Sequence, residues 1–141
     1  MKDKCVLSGL VAGLLWTVLA AVVAVGCAAH RDDVLQASVK AYNKAMKWQE
    51  YEKAGDFVAG SYKDQFRKAT ADFEKDRLKI VDYEIVRSTI DQEKDSATST
   101  VKLEYYWEGD GKLLRATLDE KWVYEDGNWR IVPSLDEFAH K

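Results

Sequence analysis

Few groups in this sequence could do chemistry, and one carboxylate stands apart from the others. In the run Leu118-Asp119-Glu120-Lys121-Trp122, an extended chain puts Glu120 on the same face as Leu118 and Trp122. Desolvation drives a carboxyl in such a place toward its neutral form unless a cation or a hydrogen-bond donor meets it. A raised pKa of that kind suits a general base or a ligand contact. The competing expectation, and the one carried forward, is that Glu120 lies at the end of a sheet, where curvature or a bulge turns it to water or toward a Lys or Arg. His30 and His140 sit near the two ends of the folded part and are expected to be solvated. No Cys/His spacing fits zinc, and no glycine loop has the phosphate-cradling pattern. The sequence therefore assigns no catalytic residue, no metal and no cofactor.

Two Asp-Gly pairs organise the strands that must position Glu120. Asp110-Gly111 and Asp126-Gly127 are both two-residue hairpin signals, because such a pair supplies the positive φ of a type I′ turn. Counting from the first turn sets Trp107 opposite Leu114, Tyr105 opposite Ala116, Leu103 opposite Leu118 and Val101 opposite Glu120. Counting from the second sets Tyr124 opposite Trp129 and Trp122 opposite Ile131. These residues share one apolar, aromatic-rich face. The other face carries Thr100, Lys102, Glu104, Arg115, Thr117, Asp119, Lys121 and Arg130, with Lys102 across from Asp119. An earlier strand over Leu78–Ile90 joins through a loop at Asp91–Asp95, pairing Ile85 with Val101, Tyr83 with Leu103 and Val81 with Tyr105. Glu120, Trp107, Tyr105, Trp122, Tyr124 and Tyr83 are then the candidate pocket residues.

A four-stranded or larger antiparallel meander with one apolar face needs a cover, and two helices are the material for it. The first is expected from Asp32 or Asp33 to about Ala54, burying Val34, Ala37, Ala41, Ala45 and Trp48 with Tyr42 and Met46 alongside, and stopping at Gly55. The second is expected from Asp64 to Asp76, burying Phe66, Ala69 and Phe73. The fold class is therefore α+β, with N-terminal helices packed on one side of a curved sheet.

Composition narrows the function classes. A chain of 141 residues has room for one such domain. Lys and Arg number 21 against 24 Asp and Glu, with both signs scattered, so there is no nucleic-acid footprint. The N-terminus reads as an export signal: Lys2 and Lys4 precede an apolar run over Val6–Val25. That run ends in Ala24-Val25-Gly26-Cys27, which resembles the lipobox of bacterial lipoproteins, although Ala24 stands where Leu is usual. The resemblance implies a signal peptide over residues 1–26, diacylation of Cys27, a tether over 27–31 and a single domain over 32–141. An uncleaved signal anchor is the alternative, since about 20 apolar residues can span a bilayer. Either places the domain outside the cytoplasm. Ala28 stands where an Asp would often mean inner-membrane retention, so the resemblance implies the periplasmic face of the outer membrane. Four tether residues reach at most about 14 Å, which holds the domain close to the membrane.

The order of elements, with Lys121-Trp122-Val123 and Asp126-Gly127-Asn128-Trp129-Arg130-Ile131 in the last hairpin, resembles the nuclear transport factor two-like, or SnoaL-like, superfamily. The break at Ala54-Gly55-Asp56 is similar too, and a cystatin-like domain is the nearest rival. The resemblance implies a cone of sheet and helices that often encloses a pocket, in isomerases, cyclases, dehydratases and many non-catalytic domains, so fold alone does not assign activity. No catalytic motif transfers residue by residue. The expected function is a lipid-anchored envelope domain with a non-catalytic binding or assembly role and an envelope protein as partner. The alternatives are a pocket for a small apolar or aromatic ligand, or an isomerase- or dehydratase-like enzyme using Glu120. An open aromatic cone with an unpaired acid would support the alternatives, and a cone filled by its own side chains would support the first reading.

Overall fold

Four strands pair in chain order as one antiparallel sheet: β1 (Leu78–Asp91), β2 (Ser96–Trp107), β3 (Leu114–Glu125) and β4 (Asn128–Val132). The structure is a computed structural model and describes residues 30–138. The sheet is curved without closing, and the helices that precede it in the chain pack on one face, so the fold is α+β as the pattern requires. The expected signal, the acylated cysteine, most of the tether and His140 lie outside the described residues. His30 is described, and it is exposed.

The second hairpin has the expected register. Tyr124 pairs with Trp129 and Trp122 with Ile131, around Asp126 at φ 51° and Gly127 at φ 78°, the two positive values of a type I′ turn. The first hairpin does not. Its connection runs from residue 108 to 113, with Gly109 at φ 120° and Gly111 at φ 60°. Tyr105 therefore pairs with Leu114, Leu103 with Ala116, Val101 with Leu118 and Ser99 with Glu120. A slip of two residues keeps every side chain on its expected face, because the period is two. What changes is the neighbour. Glu120 faces Ser99 rather than Val101, and Trp107 pairs with Leu78 of β1 rather than with Leu114. On the outer face Asp119 accepts a hydrogen bond from Thr100 at 2.7 Å, while Lys102 pairs with Glu84 at 3.8 Å instead of with Asp119. In β1, Ile85 meets Val101 and Tyr83 meets Leu103 as expected, but bulges at Val81 and Val86 turn both valines outward. Val81 is thus not opposite Tyr105, which pairs with Ile80.

The helical cover differs from the expectation in phase and in length. Helix α1 is already formed at residue 30, ahead of the expected Asp32 or Asp33 cap, and ends at 47. Its buried stripe is Leu35, Val39, Tyr42, Asn43, Ala45 and Met46, whereas Ala37 and Trp48 are exposed. The stop is not Gly55. Gln49 takes φ 59°, Gln49 N–H donates to Met46 O at 3.1 Å and Glu50 N–H donates to Ala45 O at 2.9 Å, the paired bonds of a Schellman end. A non-glycine residue is strained there. Its side chain offsets the strain by donating to Leu78 O at 3.0 Å and accepting from Lys79 Nζ at 2.7 Å. A short helix α2 (Tyr51–Gly55) follows, then a 3₁₀ turn (Gly60–Tyr62) and α3 (Lys63–Lys75). Helix α3 buries Phe66, Thr70 and Phe73, with Ala69 half-buried. Between α2 and the 3₁₀ turn, the chain lines the free edge of β4: Ile131 N–H donates to Phe57 O at 2.8 Å and Ala59 N–H donates to Ile131 O at 2.9 Å.

The core lies between these helices and the inner sheet face. Tyr42 of α1 meets Trp122 of β3 edge-on at 5.9 Å between ring centres, and Phe73 of α3 meets Trp107 of β2 at 6.2 Å. After β4 the chain passes Pro133 and turns back, so that Leu135 and Phe138 enter the same core, the latter within a 3₁₀ turn (Asp136–Phe138). Phe138 packs edge-on against both Phe73, at 5.5 Å, and Tyr105, at 5.3 Å.

Candidate functional site

Glu120 is buried, at 7% exposure, so the expectation that curvature turns it to water is overturned. The reason is its place in the sheet. β3 is an inner strand, β2 and β4 flank it, and α1 lies over its inner face, so no edge is near enough to release the side chain. Asn43 of α1 meets the carboxylate instead, its Nδ2 donating to Glu120 Oε2 at 3.2 Å. The same amide nitrogen donates to Val39 O at 3.0 Å, which holds the side chain against its own helix and aims it at β3.

Glu120 is also the inner member of a polar rung across three strands. Ser88 on β1 pairs with Ser99 on β2, and Ser99 pairs with Glu120 on β3. The two hydroxyls are hydrogen-bonded at 2.8 Å, and Ser99 is fully buried while Ser88 is half-buried at the sheet edge. Adjacent inner-face residues on paired strands have Cβ atoms about 5 Å apart, so Ser99 stands beside Glu120 on one side while the Asn43 amide meets the carboxyl from the helix. Trp122, one inner-face position along β3, completes the surroundings. Its buried Nε1 makes no hydrogen bond of ordinary geometry, yet the N–H is close enough to favour the ionised carboxylate.

Burial dominates the electrostatics. It pushes the Glu120 carboxyl up to about 8, against the smaller opposing pull of Asn43 and Trp122. No Lys, Arg or His contributes to that balance. Tyr42, wholly enclosed beside it, has its hydroxyl pushed well up, first by burial and then by the Glu120 charge. At neutral pH the group is accordingly a neutral acid in an apolar wall, able to donate one hydrogen bond and to accept another.

The space beside it is small. Glu120, Asn43, Tyr42 and Leu118 line the cavity together with Leu135 and Phe138. Its volume is about 20 Å³, room for one water molecule. Ligand pockets run to roughly 300–1,000 Å³. The larger hollows lie away from this acid and are open grooves. One, of about 380 Å³, runs between α2 and α3 past Tyr51 and Phe66, and another, of about 480 Å³, crosses the sheet at Glu84, Lys102, Glu104 and Arg115.

Of the six residues predicted as a pocket, only Glu120 lines the cavity. Tyr105, Trp107 and Trp122 are buried in the core. Tyr124 stacks edge-on with Trp129 at 5.0 Å, and Tyr83 donates its hydroxyl to Lys40 O at 3.5 Å under the middle of α1. The sequence reading missed Asn43, Ser88, Ser99, Leu135 and Phe138. Asn43 has a signal: it falls four residues after Val39 and eight after Leu35, in phase with a stripe of larger apolar residues than the expected alanines. Among the described residues, no three His, Cys, Asp or Glu side chains gather as a metal site would need, and no helix is long and apolar enough to cross a membrane. No protein-family model matches the chain, and no curated protein does.

Proposed function

We propose that the chain is a lipid-anchored envelope protein whose domain serves a non-catalytic binding or assembly role. The observation that carries this reading is the filled interior: the cavity beside the sole buried acid among the described residues has a volume of about 20 Å³. An isomerase- or dehydratase-like reaction needs a substrate against that acid, and there is room for none. Helices that precede a four-stranded meander support placement in the nuclear transport factor two-like superfamily, with a cystatin-like domain as the rival. The lipobox-like end at Cys27 supports export, acylation and an outer-membrane address.

One observation favours a second reading. A neutral carboxyl kept in an apolar wall is what a small apolar ligand with a single polar group would meet, were Leu135 and Phe138 displaced. Titration of the native protein with an environment-sensitive apolar dye at pH 7 separates the two. No saturable emission is expected; a one-to-one saturable signal that Phe138→Trp abolishes would replace the assembly role with a ligand pocket. The anchor has its own test. Fatty-acid labelling in cells should mark the wild type and not Cys27→Ala, and label retained by the variant removes the lipobox assignment.

A further inference from the structure

The free side of α1 carries a cationic and aromatic stripe that the core does not use. Lys40, Lys44 and Trp48 follow one another at intervals of four, so they stack on one helix face, and all three are exposed. Trp48 is 65% exposed, and its N–H still donates to Lys44 O at 3.1 Å, which keeps it in helical phase with Lys44. The positions three and four away from Lys40 and Lys44 hold Gln36, Ala37, Ala41, Asn43, Lys47 and Trp48, none of them acidic. Neither lysine is in an ion pair among the described residues, whereas Lys47 is drawn off the stripe to Asp82 at 3.1 Å.

We infer that this face, with Lys40, Lys44 and Trp48, is the surface the domain lays on an anionic bilayer. Indole rings partition to the headgroup level, and lysines beside them reach lipid phosphates. The inference rests on the lipid-anchor reading. A short tether keeps the domain within a few nanometres of headgroups, so contacts too weak to recruit it from solution can still decide which side faces down. The net charge of −3 strengthens the argument for orientation. That charge repels anionic lipid on average, whereas a stripe with no acid within one turn of either lysine is locally attractive to it. The alternative arrangement, with α1 standing on its N-terminal end, would lift Trp48 by roughly 27 Å, from the 1.5 Å rise per residue.

Iodide quenching of the full acylated chain on vesicles of phosphatidylethanolamine and phosphatidylglycerol tests this, with flotation of the same vesicles as the measure of anchoring. Trp107, Trp122 and Trp129 are buried, and subtraction of the Trp48→Phe variant isolates Trp48. The expected result is that Trp48 loses iodide access on vesicles and is quenched by brominated acyl chains. Lys40→Gln and Lys44→Gln should each restore access by about fivefold, the worth of one lysine at an anionic surface, while both variants still float. Raising the salt concentration should act in the same direction. A chain that floats while Trp48 stays open to iodide overturns the docking face and leaves the anchor standing. A chain that does not float removes the anchor and the docking face with it. Protection in native envelopes but not in protein-free vesicles overturns the bilayer as occupant and assigns the stripe to a protein.

Discussion

Two stretches of the same inner sheet face stabilise this domain by unlike means. Around the far end of β2, Trp107, Phe73, Phe138 and Tyr105 meet edge to face in a continuous chain, each contact between 5.3 and 6.2 Å. These rings contribute through buried area and quadrupole geometry. Toward the near end, the rung of Ser88, Ser99, Glu120 and Asn43 contributes only while each polar group keeps its partner. One stretch is insensitive to conditions and tolerant of small shifts. The other is conditional. An apolar residue at position 120 would fill the same place without a titration to manage, so the acid is where selection for something besides stability is to be sought.

The largest expected effect is on pH. The folded-state pKa of Glu120, about 8, lies above the ordinary 4.5. The folded state therefore holds the proton more tightly, and the advantage is complete below pH 4.5, falls between 4.5 and about 8, and is gone above. The interval corresponds to roughly 5 kcal/mol at 1.36 kcal/mol per pH unit. Urea unfolding across that range should show the wild type weakening and Glu120→Gln nearly level. Parallel curves would mean that water reaches the carboxyl and that the two stretches do not differ.

Phe73→Ala should cost about 3–5 kcal/mol by leaving Trp107 and Phe138 without their common neighbour, and the loss should be the same at pH 5 and pH 8. A pH-dependent loss would show the aromatic stretch to be coupled to the rung. Asn43→Ala is expected to cost about 1–3 kcal/mol, because it strips the carboxyl of its donor. It should also carry the pH transition upward, since that donor favours the ionised form; an unmoved transition would assign the opposing pull to Trp122 alone. Ser88→Ala, at the half-buried end of the rung, should cost about 1 kcal/mol or less. A loss as large as that of Asn43→Ala would make the hydroxyl pair an equal partner in holding the acid.

The parity of the inner face was legible in the sequence, because a period of two survives a slip of two. The register of the first hairpin was not. Two identical Asp-Gly pairs behave differently since Asp126-Gly127 is bounded by residues that pair at once, Glu125 with Asn128, while Asp110-Gly111 follows Gly109 and a strand end still engaged with β1. That slip decided the site, as it replaced Val101 with Ser99 beside Glu120. The burial of Glu120 itself depended on long-range facts: which strand is central, where α1 crosses, and that the chain after Pro133 returns to line the cavity. The end of α1 at Gln49 was equally hidden, since its left-handed conformation is held by Leu78 and Lys79, some thirty residues away. What composition did deliver was the acid on an apolar face, which is the feature the structure confirms as unusual.

The bulges of β1 bear on how copies of this protein tolerate one another. Of the two sheet edges, that of β4 is lined by the chain at Phe57–Ala59, which leaves β1 as the outer strand. An unbroken strand of that length would invite a second copy to extend the sheet. The register shifts divide it into Leu78–Ile80, Asp82–Ile85 and Arg87–Asp91, each shorter than the roughly six residues that sustain strand-to-strand stacking. That division denies a second copy an unbroken edge on which to extend the sheet.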